Sequence, residues 1–164
     1  MMKTCEALRQ RMFALAGCDW AGEVCFKEGE ELSLLMDGER LTVEAPDISA
    51  AARGLFLAAC AIRDGRNVPE LHQRRHIASC GMMLDMSRGG VMTVEAVKGM
   101  IDAHAALGLN LMMLYTEDTY TVPEAPYLGY LRGRYTEKEL REMDDYAAES
   151  GVELVPCVQT LAHL

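Results

Sequence analysis

The feature that most constrains this chain is a regular alternation of strand and helix patterns after residue 76. An apolar run over residues 82–86 predicts a buried strand. A helical pattern follows this strand, with Thr93 as its expected N-cap and Gly108 as the residue that ends it. The nearly continuous apolar stretch 109–115 then predicts a second strand with both faces covered. Strand, helix, strand in this order is the repeating unit of a parallel sheet.

A second such unit completes the pattern. Thr136 and Glu139 have the spacing of a capping box, and Gly151 is placed to end the helix that they begin. Residues 152–158 predict a third strand. We therefore expect an α/β fold that contains the first βα units of an incomplete (β/α)₈ TIM barrel. A whole barrel has roughly 200–250 residues, so we expect this one to be truncated after its third strand.

The first half of the chain has a different pattern. Residues 4–16 predict a helix, and an Asp37-Gly38 turn predicts a hairpin. A second helix is expected from about residue 50 to 64 with Ser49 as its cap, and residues 65–75 have the composition of a linker. Three short strands are expected at 23–27, 31–36 and 40–44. The expected domains are thus an α+β N-terminal domain, residues 1–76, and a partial barrel, residues 77–164.

Composition excludes several classes of function. The formal net charge is −9, which disfavours a nucleic-acid surface and electrostatic docking on anionic membranes. No apolar run approaches the ~20 residues of a membrane span. The six cysteines form no CxxC pair, and no secretory signal precedes the first helical pattern. We expect free thiols in a cytoplasmic protein.

Titratable residues follow each predicted barrel strand, where parallel α/β folds collect their chemistry. Asp85 and Arg88 follow the first strand, either as ligands for sugar hydroxyls or as an internal salt bridge. Glu117 and Asp118 follow the second, and strand alternation would turn one inward while the other caps the loop. His163 follows the third, either to orient a catalytic acid or as a core histidine.

Two further possibilities concern metals and the loop after the second strand. Glu117, Asp118 and His163 could ligate a metal, but no HxH, HExxH or cysteine pair supports this, so no metal and no cofactor are expected. The loop 119–135 interleaves tyrosines with Arg132 and Arg134. Aromatic faces stack on sugar rings and arginines bond hydroxyls, although the same composition can pin a loop on the protein's own surface.

Several stretches in the second half resemble family-20 glycoside hydrolases, the β-N-acetylhexosaminidases, and look closest to an intracellular bacterial branch. They are Leu84-Asp85-Met86-Ser87-Arg88, Leu114-Tyr115-Thr116-Glu117-Asp118-Thr119-Tyr120, Gly129-Tyr130-Leu131-Arg132-Gly133-Arg134-Tyr135-Thr136 and Pro156-Cys157-Val158-Gln159-Thr160-Leu161-Ala162-His163-Leu164. The resemblance implies an N-terminal fragment of a glycosidase of carbohydrate metabolism that removes terminal N-acetylglucosamine or N-acetylgalactosamine.

The resemblance also implies a substrate-assisted, retaining mechanism. The Asp-Glu pair of that mechanism lies after a fourth strand in the family and matches no residue here, so we expect this chain to be inactive alone. His163 and Glu117 match supporting catalytic positions, and the expected substrate-binding residues are Asp85, Arg88, Asp118, Arg132 and Arg134. Cys80 stands where many family members have a sugar-binding arginine.

Two expectations concern partners. The substrate would be an N-acetylhexosaminide glycan or glycoconjugate, with no nucleic acid and no membrane involved. An open barrel edge would favour a homo-oligomer, because an unpaired strand edge invites pairing. The alternative function is a non-catalytic carbohydrate-binding or interaction module derived from such an enzyme.

Overall fold

The fold was analysed in a computed structural model, which describes residues 2–88 and 90–159. These ranges contain helices and strands in a mixed α/β arrangement. In chain order they are α1 (Met2–Ala16), β1 (Glu23–Glu28), β2 (Leu32–Asp37), β3 (Arg40–Ala45), α2 (Ile48–Arg63), β4 (Leu71–Gln73), β5 (Gly81–Asp85), α3 (Val94–Leu107), β6 (Leu111–Tyr115), α4 (Glu137–Ala148) and β7 (Glu153–Cys157).

The first four strands form one sheet in the order β1-β3-β2-β4. Strands β2 and β3 are the expected hairpin, while β1 runs parallel to β3 at one edge. Helix α2 packs on this sheet with Gly54 facing it, where a Cβ atom would lie 2.7 Å from Leu32 Cδ1. The lack of a side chain at Gly54 therefore lets the helix approach the sheet closely.

Two details of the first half differ from expectation. Helix α2 begins at Ile48 with Asp47 as its N-cap, whereas Ser49 was expected to cap it. Asp47 prevails because its Oδ1 accepts from Ala50 N at 2.9 Å while Ser49 Oγ donates to the same oxygen. The predicted linker 65–75 contains β4, which pairs antiparallel with β2 and is the edge strand on that side of the sheet.

The last three strands form a separate parallel sheet in the order β5-β6-β7. Helices α3 and α4 connect them, and the predicted N-caps of both helices are confirmed: Thr93 and Gly108 bound α3, and Thr136 makes the full capping box with Glu139. Helix α4 ends at Ala148 with Glu149 as its C-cap, two residues before the expected Gly151. The α/β class is thus confirmed. That these strands begin an eight-stranded barrel stays a prediction, as does a domain boundary at residue 76.

A single hydrophobic core joins the two sheets through the helices. Helix α2 packs against both α1 and α3, and α1 also contacts α3. Val97, Ile101 and Ala105, one turn apart on α3, are fully buried at this junction. All six cysteines are free thiols, and no helix within the described ranges is long and apolar enough to span a membrane.

Candidate functional site

The carboxyl ends of β5, β6 and β7 lie side by side, with Asp85, Tyr115 and Cys157 in register. Two further backbone bonds extend this alignment beyond the strands. Met86 N donates to the Tyr115 carbonyl at 2.9 Å, and Thr116 N donates to the Cys157 carbonyl at 3.2 Å. The residues that follow the strands are therefore held at one edge of the sheet, as the sequence predicted.

Asp85 is an exposed carboxylate whose orientation is fixed by Ser87. Its Oδ1 accepts from Ser87 Oγ at 2.6 Å and from Ser87 N at 2.8 Å. These two hydrogen bonds, first the hydroxyl and then the amide, hold the pKa of Asp85 below its usual value, and the positive charges of Arg88 and Arg132 add to the effect. Asp85 is consequently ionised at neutral pH and can accept hydrogen bonds from a ligand.

Glu117 is the buried carboxylate of the site, with only 3% of the residue exposed. Its Oε1 accepts a hydrogen bond from Tyr115 OH at 3.2 Å and lies 3.2 Å from Arg88 Nη2. Gln159 Nε2 in turn donates to Tyr115 OH. These contacts link the ends of all three strands through one buried charge, because Arg88 follows β5 and Gln159 follows β7.

The side chains around Glu117 have distinctive properties. Partial burial and then the Glu117 carboxylate raise the pKa of Tyr115, so its hydroxyl stays a proton donor at neutral pH. Gln159 Oε1 is buried and has no hydrogen-bond partner within residues 2–88 and 90–159. Buried acceptors without a partner are uncommon in folded proteins.

The backbone also places Glu117 unusually. Its φ of +48° lies in the left-handed region, which costs a non-glycine residue on the order of 1–3 kcal/mol. A turn holds it there, since Thr119 N and Thr119 Oγ1 both donate to the Thr116 carbonyl at 2.9 and 2.8 Å. This turn directs Glu117 inward and leaves Asp118 to the loop, which is the division between the two acids that the sequence suggested.

Asp118 and the two loop arginines hold the loop 119–135 in place. Asp118 Oδ1 pairs with Arg132 Nη1 at 2.5 Å, and Arg134 Nη1 donates to the carbonyls of Leu128 at 2.7 Å and Pro126 at 3.2 Å. Through these contacts both arginines fix the conformation of the loop to which they belong. That Arg132 and Arg134 also bind a sugar stays a prediction.

Tyr135 closes the other end of the loop. Its hydroxyl donates to the Met92 carbonyl at 2.6 Å, and its backbone forms a bridge to Thr119 and Thr121. Only 3% of Tyr135 is exposed, and this burial raises its pKa to about 12. The loop is therefore fastened to both the β5–α3 and the β6 segments.

Arg88 does form a salt bridge, whereas sugar binding by Asp85 and Arg88 stays a prediction. Arg88 pairs with Glu117 across the strand ends, and no ion pair with Asp85 occurs in the described part of the chain. His163 lies outside the described residues, so its convergence with Asp85 and Glu117 stays a prediction. No group of three or more possible metal ligands occurs among residues 2–88 and 90–159.

Cys80 is exposed and precedes β5. It lies five residues before Asp85, so it is about 16 Å from that carboxylate along an extended strand. Its backbone N–H is bound by the Asn110 side chain at 2.9 Å.

Sequence reasoning did not single out Tyr115 or Ser87 as contacts of the acids. Tyr115 belonged to an apolar strand pattern, and its hydroxyl reaches Glu117 only because the backbone turns after Thr116. A tyrosine two positions before a glutamate is the sequence signal that could have predicted the contact between Tyr115 and Glu117.

No protein-family model matches this sequence. Among solved structures, a family-20 β-N-acetylglucosaminidase superposes on 95% of this chain with a TM-score of 0.70 and 26% identity, and the match covers 36% of that protein. The exo-β-N-acetylglucosaminidase of Vibrio harveyi superposes on 93% with a TM-score of 0.67 and 20% identity, covering 30% of that protein. The family-20 β-N-acetylhexosaminidase of Streptomyces coelicolor superposes on 88% of this chain with a TM-score of 0.66 and 22% identity. The match covers 38% of that protein.

A curated relative is also a β-N-acetylglucosaminidase. The chitooligosaccharidolytic β-N-acetylglucosaminidase of Bombyx mori is 30% identical over 93 residues, which is 51% of this chain and 15% of that protein. The chain therefore spans only a small part of the relatives that it matches. The resemblance to family-20 β-N-acetylhexosaminidases drawn from the sequence motifs is confirmed.

Proposed function

We propose that this chain, which has the fold found in family-20 glycoside hydrolases, contributes the N-terminal α+β domain and the first barrel strands of a β-N-acetylhexosaminidase. The enzyme would remove terminal N-acetylglucosamine or N-acetylgalactosamine from glycans. The observation that carries the proposal is the buried Glu117, held by Tyr115 and Arg88 at the edge where three parallel strands end. Chemistry collects at that edge in parallel α/β folds.

The proposed reaction is the substrate-assisted, retaining route. The carbonyl oxygen of the substrate's own 2-acetamido group attacks the anomeric carbon, and the bond to the leaving oxygen breaks as a glutamic acid donates its proton to that oxygen. Water then attacks the same carbon, returns a proton to the glutamate and restores the acetamide. An aspartate orients the acetamide throughout, and this Asp-Glu pair would follow the fourth strand of the barrel.

The residues of this chain would support that pair from one side. Glu117 would anchor His163, and His163 would hydrogen-bond the general acid and so tune its pKa. The turn at residues 116–119 supports this role, because a carboxylate held away from water by a strained backbone is pre-organised.

The remaining site residues would bind the sugar. Asp85 is exposed and ionised, which suits it to accept from sugar hydroxyls, and the 64% exposed side chain of Arg88 can donate to them while it pairs with Glu117. Asp118, Arg132 and Arg134 are proposed as further substrate contacts through the loop that they hold. Arg88 or one of the loop arginines would replace the arginine that many family members have at the position of Cys80.

Three strands are a minor part of an eight-stranded barrel, so we propose that the 164-residue chain has negligible turnover by itself. We also propose a cytoplasmic location, in keeping with six free thiols, and self-association through the open strand edge.

The direct test is hydrolysis of p-nitrophenyl N-acetyl-β-D-glucosaminide and galactosaminide. The protein encoded by the full reading frame that contains this chain should cleave them, and a stable thiazoline analogue of the cyclic intermediate should inhibit it. Glu117→Gln in that protein should lower kcat by about 10²-fold or more, with KM less affected. Absence of cleavage, or cleavage insensitive to the thiazoline, would contradict the proposal.

The exposed side chains of Asp85 and Arg88 would also suit one second candidate, a non-catalytic carbohydrate-binding module. The 164-residue protein alone does not separate the two candidates, because both predict negligible turnover and sugar binding, so the protein encoded by the full reading frame is the one to assay. A full reading frame without activity, combined with sugar binding at Asp85 and Arg88, would support the module.

A further inference from the structure

The tip of the loop 119–135 presents three apolar side chains to solvent. Tyr127 is 81% exposed, Tyr130 63% and Leu131 89%. The two tyrosine rings pack edge to face, with centroids 6.2 Å apart at an interplanar angle of 72°. Large apolar side chains that are adjacent and exposed indicate a binding surface more often than isolated ones do. We call Tyr127 and Tyr130 the tyrosine pair.

The backbone beneath the tyrosine pair is held rigidly. Successive turns are closed by Tyr130 N to the Tyr127 carbonyl at 3.1 Å and Arg132 N to the Gly129 carbonyl at 3.0 Å. Gly129 and Leu131 both have a φ of +63°, and Arg134 binds two carbonyls on the other side of the tip. A surface held in this way loses little entropy on binding a ligand.

The tip also adjoins the strand ends that carry the candidate site. A Cβ atom at Gly129 would lie 2.3 Å from the Asp118 carbonyl, so the tip rests directly on the residue after Glu117. Arg132, two residues after Tyr130, pairs with Asp118 and is close enough to Asp85 to affect that carboxylate. The tyrosine pair therefore stands beside the carboxyl edge of β5 and β6.

We propose that the tyrosine pair is a stacking platform for the second sugar ring of the substrate, the neutral pyranose to which the terminal N-acetylhexosamine is linked. The inference rests on the proposed function, and it divides the loop into two parts with different tasks. The arginines fasten the loop and are the proposed contacts of the terminal sugar, while the tyrosines bind the second ring.

The chemistry of the tip specifies a neutral ring. Each pyranose has a face of C–H groups that packs on an aromatic ring, while its hydroxyls keep their bonds to water at the rim. The two arginines that follow the pair along the loop are already engaged, Arg132 by a carboxylate and Arg134 by backbone carbonyls, which disfavours an anionic ligand at the tip. Tyrosine also suits an exposed platform because its hydroxyl stays solvated while its ring packs.

The test compares a one-ring and a two-ring ligand on the 164-residue protein by NMR, with ¹³C-labelled tyrosine rings and labelled carboxylates. The ligands are methyl N-acetyl-β-D-glucosaminide and the β-1,4-linked disaccharide of N-acetylglucosamine. The disaccharide should shift the ring signals of Tyr127 and Tyr130 and bind about three- to tenfold more tightly than the single ring.

Variants separate stacking from folding. Tyr127→Ala with Tyr130→Ala should lower the affinity for the disaccharide to that for the single ring, whereas the double phenylalanine variant should retain it. Leu35→Ala, on the 62% exposed Leu35 of β2, is the matched control and should change neither affinity. Both tyrosines are exposed, so the alanine variant is expected to keep the wild-type amide spectrum.

Several results would overturn the platform. These are equal affinity for the two ligands, tyrosine signals that do not move with either, and tyrosine signals that move with protein concentration instead of with sugar, which would assign the tip to a second copy of the chain. Failure of the proposed function looks different. In that case the Asp85 and Glu117 carboxylate signals stay unmoved by both ligands, while the tyrosine signals still respond to the disaccharide.

Discussion

Arg88 Nη2 and Glu117 Oε1 lie 3.2 Å apart, yet 64% of the Arg88 side chain is exposed and only 4% of the Glu117 side chain is. The pair is therefore asymmetric. Arg88 can return to water at little cost, whereas Glu117 would be left as a buried carboxylate whose remaining described donor is Tyr115 OH. The energetic consequence of breaking the pair depends on which partner is removed.

The first prediction follows from this asymmetry. Arg88→Ala should lower the free energy of unfolding by about 1 kcal/mol, because the buried carboxylate loses its counter-charge, and the exposure of Arg88 reduces the effect from that of a buried pair. Glu117→Gln should lower the free energy of unfolding by less than Arg88→Ala does. A neutral amide is easier to bury than a carboxylate, and its oxygen can still accept the hydrogen bond from Tyr115 OH. Urea unfolding of both variants at pH 7 measures the difference. A larger loss for Glu117→Gln than for Arg88→Ala would show that the carboxylate itself stabilises the turn.

A second prediction concerns the start of α2. Asp47→Ala should destabilise the protein by about 1 kcal/mol through the loss of the N-cap, and Ser49→Ala should cost clearly less because Ser49 only supports that carboxylate. Burial opposes ionisation of Asp47, but hydrogen bonds from Ala50 N, Arg75 and Ser49 outweigh it and lower the pKa.

The lowered pKa of Asp47 gives this cap a pH dependence. A carboxyl with a lower pKa in the folded state stabilises above its unfolded value of 3.8 and loses that contribution as pH falls through the folded value. The difference between wild type and Asp47→Ala should therefore be constant from pH 5 to 7 and shrink below pH 4. Thermal unfolding across that range measures it, with Ser49→Ala as the comparison. A difference that does not change at low pH would mean that the cap does not depend on ionisation.

Local signals in the sequence predicted much of the fold. The capping box at Thr136 and the Thr93 and Gly108 boundaries of α3 were correct because each depends on a hydrogen bond or backbone angle within a few residues. The cap of α2 was assigned wrongly because Asp47 and Ser49 are both good caps, and Arg75, distant in sequence, supports the aspartate. Strand β4 was missed because three residues in an arginine-rich segment carry no periodicity, and only pairing with β2 makes them a strand.

The site was partly predictable for the same reason. That Asp85 and Glu117 meet at one edge follows from parallel strands of matched length. The inward direction of Glu117 does not follow from strand alternation, because the chain has left the strand and has adopted a left-handed turn. The partners of Arg132 and Arg134 could not be predicted from the sequence either, since they depend on how the seventeen residues 119–135 fold back on Asp118.

A third prediction concerns the contact between the two halves of the chain. Arg11 on α1 donates to Asp102 on α3 through Nε at 2.8 Å, its guanidinium lies 3.5 Å from the Tyr146 ring centroid, and Tyr146 OH donates to Asp102 at 2.9 Å. Both charged side chains are mostly buried, at 14% and 17% exposure. Asp102→Ala should therefore cost about 2 kcal/mol, because it leaves a mostly buried guanidinium with only the exposed Glu149 carboxylate, at 3.8 Å, as its counter-charge.

The surface pair Glu137–Arg141 on α4 is the matched control for Asp102→Ala. Its side chains are 78% and 75% exposed, so Arg141→Ala should change stability little. Urea unfolding should also show whether α1 remains bound. A single cooperative transition with an unchanged m-value means that the core alone joins the halves, and a lower m-value means that α1 has detached. An Asp102→Ala cost no larger than that of Arg141→Ala would contradict the prediction.

The fourth prediction concerns alkaline pH. Burial raises the pKa of Tyr135 to about 12, and burial together with the Asp102 hydrogen bond does the same for Tyr146. A tyrosine whose folded pKa exceeds the unfolded value of 10.0 stabilises fully below pH 10, and this contribution is lost as pH rises towards 12, because only the unfolded chain releases the proton. Raising the pH from 7 to 11 should therefore lower the free energy of unfolding by about 1 kcal/mol for each of the two tyrosines.

Phenylalanine variants identify the source of this loss. At pH 7, Tyr135→Phe should cost about 1 kcal/mol, because the Met92 carbonyl loses its 2.6 Å hydrogen bond. Between pH 9 and pH 11 the same variant should lose stability more slowly than wild type, since the titrating group is gone. Tyr130→Phe, at a 63% exposed position, should leave the slope of stability against pH unchanged. Equal slopes for Tyr135→Phe and wild type would mean that the buried phenol is not what makes the fold sensitive to base.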